Sequence, residues 1–352
     1  MAFDNTYSGP PTGSASGNRE QLLDLTTVLA PRQAPIYGML PKQGATADLV
    51  EWTVDNLRTP VADNAVVEGK DVGTTGGDDF VGQFGSLTRL GNRLQHFRDT
   101  FNVSKKQEIF DSVTPVRIQE AEEKAASQLL RDIETSIASD NPAVLGDGST
   151  AGEFRGLGVW LDPTLEDASG SHAQKTDAVQ EVPDAFKTNF DSVIGVGSDS
   201  TETTAEAAAG LTESSFNGML TSIFEETGEQ GDHVLVAGTT VRNAIIDGFT
   251  RVTSATNNHF NQGDGTDVNF NVEIFQGPYG IVKIISANPK TLPNQKRAYL
   301  LDPSLLGYAE AMSMGSTMLE DQGGGPRGYI DAMGTLICRG PNGLGMIKDF
   351  TA

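Results

Sequence analysis

The sequence has few of the residues that usually carry chemistry or nucleic-acid binding. A single cysteine, Cys338, in 352 residues excludes an intrachain disulfide framework and a zinc site built from several thiolates. Basic residues number 25 against 47 acidic ones, and the net charge of −22 disfavours a nucleic-acid binder that relies on neutralising phosphates. Two tryptophans and six tyrosines leave little aromatic surface for stacking on bases or sugars.

Long apolar runs are also missing. No stretch approaches the roughly 18 consecutive apolar residues that a membrane-spanning helix requires. The opening residues are rich in Gly, Ser and Pro and lack the basic start and apolar core of a signal peptide. We therefore expect neither membrane insertion nor secretion through a signal peptide.

No arrangement of residues in the sequence predicts a catalytic site. The four histidines, His96, His172, His233 and His259, lie far apart and never in a spacing that places two ligands on one metal. The motifs of serine hydrolases, phosphate-binding loops and dinucleotide-binding folds are absent from the sequence. We predict no catalytic residue, no cofactor-binding residue, no cofactor and no metal ligand.

Period-two patterns predict two strands in the first third of the chain. Val50, Trp52 and Val54 alternate with polar residues, and a second run covers residues 97–103. Between them, residues 63–92 contain seven glycines and too few apolar side chains for a core of their own. This segment is either a disordered insertion or a projecting hairpin. The two strand patterns favour a hairpin in which 97–103 is the returning strand.

The residues before these strands are rich in proline. Pro31, Pro35 and Pro41 are interspersed with apolar residues, which predicts an extended, non-helical segment that lies on another surface. Residues 1–18 contain almost nothing apolar to bury, so we expect an arm without a core of its own.

The clearest helical pattern covers residues 114–139. Thr114 and Pro115 form a typical helix start, with a capping hydroxyl followed by proline in the first turn. Apolar residues then recur every three or four positions from Ile118 to Ile137. We predict one long amphipathic helix of roughly 36 Å.

A compact α/β module is predicted in the second half of the chain. Amphipathic helices are expected around Phe216 and Val241. Strands are predicted at 233–237, 272–275, 281–286 and 297–301. Residues 334–350 return to β-like runs that are split by a turn at 340–343. Together with the long helix, these elements make an α+β protein.

The order of these elements and four short motifs resemble the major capsid proteins of tailed double-stranded DNA bacteriophages with the Hong Kong 97-type fold. The motifs are Ala34–Gly38 (Ala-Pro-Ile-Tyr-Gly), Glu51–Leu57 (Glu-Trp-Thr-Val-Asp-Asn-Leu), Ala65–Gly69 and Leu130–Glu134. The resemblance covers the whole chain as an order of elements, while the motifs lie mainly between residues 31 and 134.

The resemblance implies a division of the chain into five parts. They would be an N-terminal arm (1–45), an extended β-hairpin loop (46–105), a peripheral domain with its spine helix at 114–139 (106–204), an axial domain (205–325) and a C-terminal return to the peripheral domain (326–352). A shell subunit needs contacts rather than a reaction, which agrees with the absence of catalytic motifs. The chain is therefore expected not to be an enzyme.

The resemblance also implies a function and partners. Copies of the chain would assemble into hexamers and pentamers of an icosahedral head, a virion capsid built in the host cytoplasm around double-stranded DNA. Further partners would be a portal, separate scaffolding or decoration proteins, and DNA touched without sequence preference. Two alternatives are a cellular nanocompartment shell with the same fold and, as a different class, an acidic secreted enzyme.

Candidate contact residues lie in the predicted hairpin. Residues 86–106 carry five bases against one acid, whereas residues 140–232 hold 18 acids against three bases. Subunits of like charge repel unless opposite patches meet locally, so we predict that the hairpin's bases face acids of a neighbouring copy; solvated charges are the alternative. The candidate inter-subunit contacts are Lys70, Phe80, Phe84, Leu87, Arg89 and Arg93.

Overall fold

The computed structural model describes residues 34–55, 87–109, 117–162, 182–183, 186–189, 192–194, 213–228, 230–250, 274–292 and 294–348, with a few isolated positions between them. The helices are α1 (Pro35–Met39), α2 (Lys105–Ile109), α3 (Arg117–Ile137), α4 (Leu157–Leu161), α5 (Glu213–Thr227) and α6 (Thr239–Thr250). The strands are β1 (Lys42–Gly44), β2 (Leu49–Val54), β3 (Thr88–Arg93), β4 (Gln95–Asn102), β5 (Val193–Ile194), β6 (Gly231–Ala237), β7 (Ile274–Gly277), β8 (Gly280–Ser286), β9 (Ala298–Leu301), β10 (Leu306–Leu319), β11 (Arg327–Cys338) and β12 (Gly345–Ile347).

One sheet has four strands in the order β1-β10-β11-β4 and is covered by the long helix α3. Strand β1 runs parallel to β10, and the other pairs are antiparallel. Leu129, Ile133 and Ile137 are buried because their spacing of four residues puts them on one face of α3. They share a core with Phe97 and Phe101 of β4.

A second sheet has six strands in the order β5-β12-β9-β6-β8-β7. Its core contains Phe216 and Leu220 of α5, Val241 and Ile245 of α6, and Val282 of β8. Each helix buries residues at intervals of four, as amphipathic helices that pack on a sheet do.

A hydrogen bond joins the second sheet to the end of the long helix. The hydroxyl of Tyr299 in β9 donates to the backbone carbonyl of Ala138, one residue past α3, at 2.9 Å. Both residues are buried, so this bond fixes the end of the helix against the six-stranded sheet.

Strands β2 and β3 form a separate two-stranded antiparallel hairpin. It packs into the core, since Val54 of β2 and Leu90 of β3 are buried. The ring of Trp52 lies 5.9 Å from that of Trp160 in α4, measured between ring centroids. A two-stranded ribbon has little stability alone, and these contacts hold this one to the body of the subunit.

The prediction of a hairpin is confirmed, but the predicted returning strand is wrong. The partner of β2 is β3, and the run at 97–103 forms β4, which pairs with β11 instead. The predicted runs at Val50–Val54 and 97–103 do both form strands, but the periodicity of a strand does not show which other strand it will pair with. Gly91 and Asn92 also made the true partner look like part of a polar loop.

Two further predictions about local structure need correction. The proline-rich segment at 29–41 was predicted to be non-helical, yet Pro35–Met39 form α1, with proline in the first turn where its missing N–H costs nothing. The long strand β10 has no counterpart among the predicted strands. The helix predicted at 114–139 is confirmed as α3, and positions 114–116 lie outside the described residues.

Candidate inter-subunit surfaces

The described part of the chain offers no site of metal or thiol chemistry. No group of three or more His, Cys, Asp or Glu side chains in it could hold a metal ion. Cys338 is fully buried, and burial raises the pKa of its thiol, so it stays protonated and unreactive. Among the described helices, none combines the length and apolar character needed to cross a lipid bilayer.

A cavity of about 410 Å³ lies beside the start of β6. Its lining includes His233, Asp302, Arg339 and Asn342. His233 is 5% exposed, and its Nδ1 atom has no hydrogen-bond partner among the described residues. Burial lowers the pKa of His233, and the nearby carboxylates of Asp302 and Asp232 act in the opposite direction. The ring is therefore held neutral, which suits a structural position.

The root of the hairpin is fixed by a buried amide. The Asn92 side chain donates to the carbonyl oxygens of Arg155 and Leu336, at 3.1 and 2.9 Å, and accepts the N–H of Arg155 at 2.8 Å. The Arg155 guanidinium lies over the ring of Trp160, 4.6 Å from its centroid. This network ties β3 to both β11 and the segment before α4, so the core fixes the position of β3.

The two arginines of β3 differ in how far they reach into solvent. Arg89 has an exposed side chain, 71% accessible, and its guanidinium lies 3.9 Å from the carboxylate of Glu51. Arg93 lies 2.8 Å from the carboxylate of Asp48 and is only 19% accessible. Within a single subunit both bases therefore already have an acidic neighbour on or next to β2, the other strand of the hairpin.

Of the remaining candidate contacts, one lies among the residues that the structure describes and three lie outside them. Leu87 is described and lies immediately before β3, with 48% of its surface exposed. Lys70, Phe80 and Phe84 lie outside the described residues. The structure therefore brings Leu87, Arg89 and Arg93 together on one limb.

The segment that contains α1 is anchored by a buried carboxylate. Glu134 on α3 is 2% exposed and accepts the backbone N–H groups of Ile36 and Tyr37 at 2.9 and 2.8 Å. Burial raises the pKa of Glu134, and the two backbone hydrogen bonds act in the opposite direction. The carboxylate satisfies N–H groups that the first turn of a helix leaves unpaired, so it positions the segment against α3.

A second set of contacts continues this anchor towards β10. The Tyr37 hydroxyl donates to Glu310 at 2.8 Å, and the Lys42 ammonium donates to that hydroxyl at 2.7 Å. Lys42 also lies 2.8 Å from the Glu310 carboxylate, and the ring of Tyr37 packs edge-on against that of Tyr308. The segment from α1 to β1 is thus held against β10 as far as Glu310.

The far half of the β10–β11 ribbon ends in a turn that rests on the end of β4. Val103 donates its backbone N–H to Pro326 at 3.0 Å, and Lys105 donates to Gly324 at 3.1 Å. Gly325 has a φ of +122°, and a Cβ there would lie 2.3 Å from the Val103 carbonyl oxygen, so only glycine fits this approach. The turn therefore has a defined position beside the sheet.

Sequence reasoning missed Asn92 and Glu134. Asn92 lies in a glycine-rich stretch and reads as a loop residue, because its partners are 63 and 244 residues away along the chain. Glu134 follows Ile133 on the buried face of α3, and an acid on the apolar face of a helix is the signal that could have identified it.

Comparison with known proteins places this fold among phage capsids. A family model described as the SU10 major capsid protein matches residues 9–351. The capsid of cyanophage A-1(L) is similar with a TM-score of 0.61 at 13% identity, over 95% of this chain and 98% of that one. The capsids of cyanophages P-SCSP1u and Pam1 have TM-scores of 0.58 and 0.56, at 10% and 14% identity, over 96% and 98% of this chain and 94% and 100% of theirs. No curated protein matches the sequence significantly.

Proposed function

The chain belongs to the family of the SU10 major capsid protein, and from this premise we propose that its copies assemble as hexamers and pentamers. As a major capsid protein of a tailed phage it forms the icosahedral capsid of the virion, assembled in the host cytoplasm, with a Hong Kong 97-type fold. The observation that carries the proposal is the family match over residues 9–351, nearly the whole chain.

The hairpin is the first proposed contact between subunits. Support comes from the exposed Leu87 and Arg89, which lie on a ribbon that no third strand in the described ranges extends. We include Lys70, Phe80 and Phe84 in the same contact because they lie in the segment between β2 and β3, and Arg93 because it ends β3, the strand that carries Arg89. Apolar and basic residues together would meet an acidic neighbour without net repulsion.

The five-part division of the chain is retained as a proposal. The arm (1–45), the extended loop (46–105), the peripheral domain (106–204), the axial domain (205–325) and the C-terminal return (326–352) follow the order of elements. Within this division, β10 pairs with β11 although the boundary at 325 separates them, and β12 joins the six-stranded sheet. Because these pairings cross the proposed boundaries, limited proteolysis of the full chain is the test of where the boundaries lie.

We also propose that the protein is structural rather than enzymatic and that it meets a portal and separate scaffolding or decoration proteins. Contact with packaged DNA is proposed to be weak and independent of sequence, because a chain with a net charge of −22 repels phosphates. The family is one of structural capsid proteins, which supports the first of these statements.

The test is the assembly state of the purified full chain. Size-exclusion chromatography with light scattering and electron microscopy should show capsomers or closed particles, because a shell protein is made to self-associate. A monomer that persists at high concentration across salt conditions would contradict the proposal. Particles isolated from infected cells should contain DNA, whereas a protein cargo would instead favour a nanocompartment.

A further inference from the structure

The outer edge of β10 is paired for only a short part of its length. On this side β1 matches Lys42 with Tyr308 and Gly44 with Glu310, and the last bond runs from the N–H of Ala45 to the carbonyl of Glu310 at 2.9 Å. Beyond Glu310, no strand in the described part of the chain pairs with this edge. Nine residues, 311–319, therefore continue as an edge strand.

This edge lacks two of the protections that edge strands often carry. Residues 311–319 include no charged residue and no proline, although charge and proline are common ways to keep a strand edge from pairing. Register shifts interrupt β10 between Glu310 and Met312 and between Met312 and Gly315, and the regular pairing with β11 resumes over 315–319, which includes Ser316 and Met318. Met312, Met318 and Leu319 are 37%, 53% and 46% exposed. Their exposure leaves apolar side chains beside the open backbone edge.

The register shows which N–H groups of β10 point to the open side. Just past β11, Arg339 donates its N–H across to the chain before β10, so odd-numbered residues of β11 face β10. Thr317 is opposite the odd-numbered Tyr329 and is therefore hydrogen-bonded to β11. The N–H groups of Ser316 and Met318, on either side of it, point outward.

We propose that a second copy of this chain adds a strand to the edge of β10 at residues 311–319, so that this edge is an assembly contact. The inference rests on the proposed self-assembly and identifies one surface through which it occurs. Backbone hydrogen bonds to Ser316 and Met318 supply the pairing, and Met312, Met318 and Leu319 become covered by the added strand.

Charge favours a second copy as the occupant. Two copies that each carry −22 repel over most of their surfaces, and an uncharged strand of nine residues lets their backbones approach. The contact also starts where the chain's own strand β1 ends, so the added strand would extend the sheet without displacing any described element. A protein built to self-associate supplies such a strand in every neighbouring subunit.

Hydrogen exchange of the purified full chain tests the proposal, before and after particles form. The amides of Ser316 and Met318 should exchange fast in unassembled subunits and about 100-fold more slowly in particles, because exchange follows the opening of hydrogen bonds. Protection already present in single subunits would overturn the proposal, because the chain's own remaining segment would then cover the edge. Fast exchange in particles of the pure protein would also overturn it, and protection found only in native heads would assign the edge to another protein.

Variants at the same positions give a second measurement. Ser316→Pro removes an outward N–H, and Ser316→Ala is its matched control because the alanine keeps that N–H. The proline variant should lose at least about tenfold in particle yield. Met318→Glu keeps the backbone N–H and places a charge on the edge, so it should also lower the particle yield. It tests the same contact if the proline variant fails to fold. Normal particles from a folded Ser316→Pro and from Met318→Glu would overturn this contact while leaving self-assembly intact. Failure of the wild-type chain to assemble would overturn the proposed function and this inference together.

Discussion

The root of the hairpin and the outer edge of β10 are built in opposite ways. At the root, Asn92 and Leu90 have no exposed surface, and each polar group of the Asn92 side chain has a partner. At the edge, Met318 is half exposed and the backbone lacks a neighbouring strand in the described ranges. One region is satisfied within a single subunit, and the other is complete only in an assembly.

This difference separates two kinds of substitution. A change at the root leaves buried polar groups without partners, and its cost appears in the stability of the isolated subunit. A change at an exposed strand or limb alters little within the subunit, and its effect appears in particle formation. Measuring both quantities for each variant therefore tests the comparison directly.

Replacing Asn92 is expected to have the largest effect on the subunit. Asn92→Ala leaves the carbonyl oxygens of Arg155 and Leu336 and the N–H of Arg155 without the partners they have now. The free energy of unfolding should fall by about 3 kcal/mol, since buried unsatisfied polar groups are costly. Denaturant unfolding measures the change.

The control for this variant is Asn102→Ala at the exposed end of β4. It removes the same side chain from a strand of the same subunit and should change the unfolding free energy by less than about 0.5 kcal/mol. Equal losses in both variants would mean that the network at the hairpin root does not stabilise the subunit.

The buried carboxylate of α3 is expected to have the next largest effect. Glu134→Ala removes the acceptor for the N–H groups of Ile36 and Tyr37 and should lower the unfolding free energy by about 2 kcal/mol. Glu123→Ala, on the exposed face of the same helix, is the matched control. If the segment around α1 remained as resistant to proteolysis in Glu134→Ala as in the wild type, the carboxylate would not be its anchor.

Local elements could be predicted from the sequence, whereas their long-range partners could not. The spacing of Leu129, Ile133 and Ile137 is enough to identify α3, because it is a property of the helix itself. Glu134 binds residues 97 and 98 positions earlier, and no local pattern encodes such a distance. The outer half of β10 was missed because both of its faces are exposed, so its residues show no alternation.

A smaller, pH-dependent effect is expected at His233, which is buried within the subunit like the root of the hairpin. Its pKa in the folded subunit is lowered by burial from the ordinary value of 6.5, so only the unfolded chain takes up the proton as the pH first falls below 6.5. Stability should therefore be highest above pH 6.5 and decline towards the folded-state pKa. In His233→Gln this part of the decline should vanish, while His96→Gln, at an exposed position of β4, should keep it.

The smallest effect on the isolated subunit is expected for Arg89, on the exposed limb of the hairpin. Arg89→Glu alters a side chain that is 71% accessible and only 3.9 Å from Glu51, so the unfolding free energy should change by less than about 1 kcal/mol. Particle formation at low salt should nevertheless slow, because the base is proposed to face acids of a neighbouring copy. Salt of about 0.1 M should reduce the difference from the wild type, because it screens charges beyond about 10 Å.

The control is Lys296→Glu, which makes the same charge change at an exposed position of the six-stranded region. Arg93→Glu, at a largely covered position, should also destabilise the subunit. If Arg89→Glu assembled at the wild-type rate in low salt, the electrostatic contact would be wrong, and apolar contacts through Phe80, Phe84 and Leu87 would become the better account.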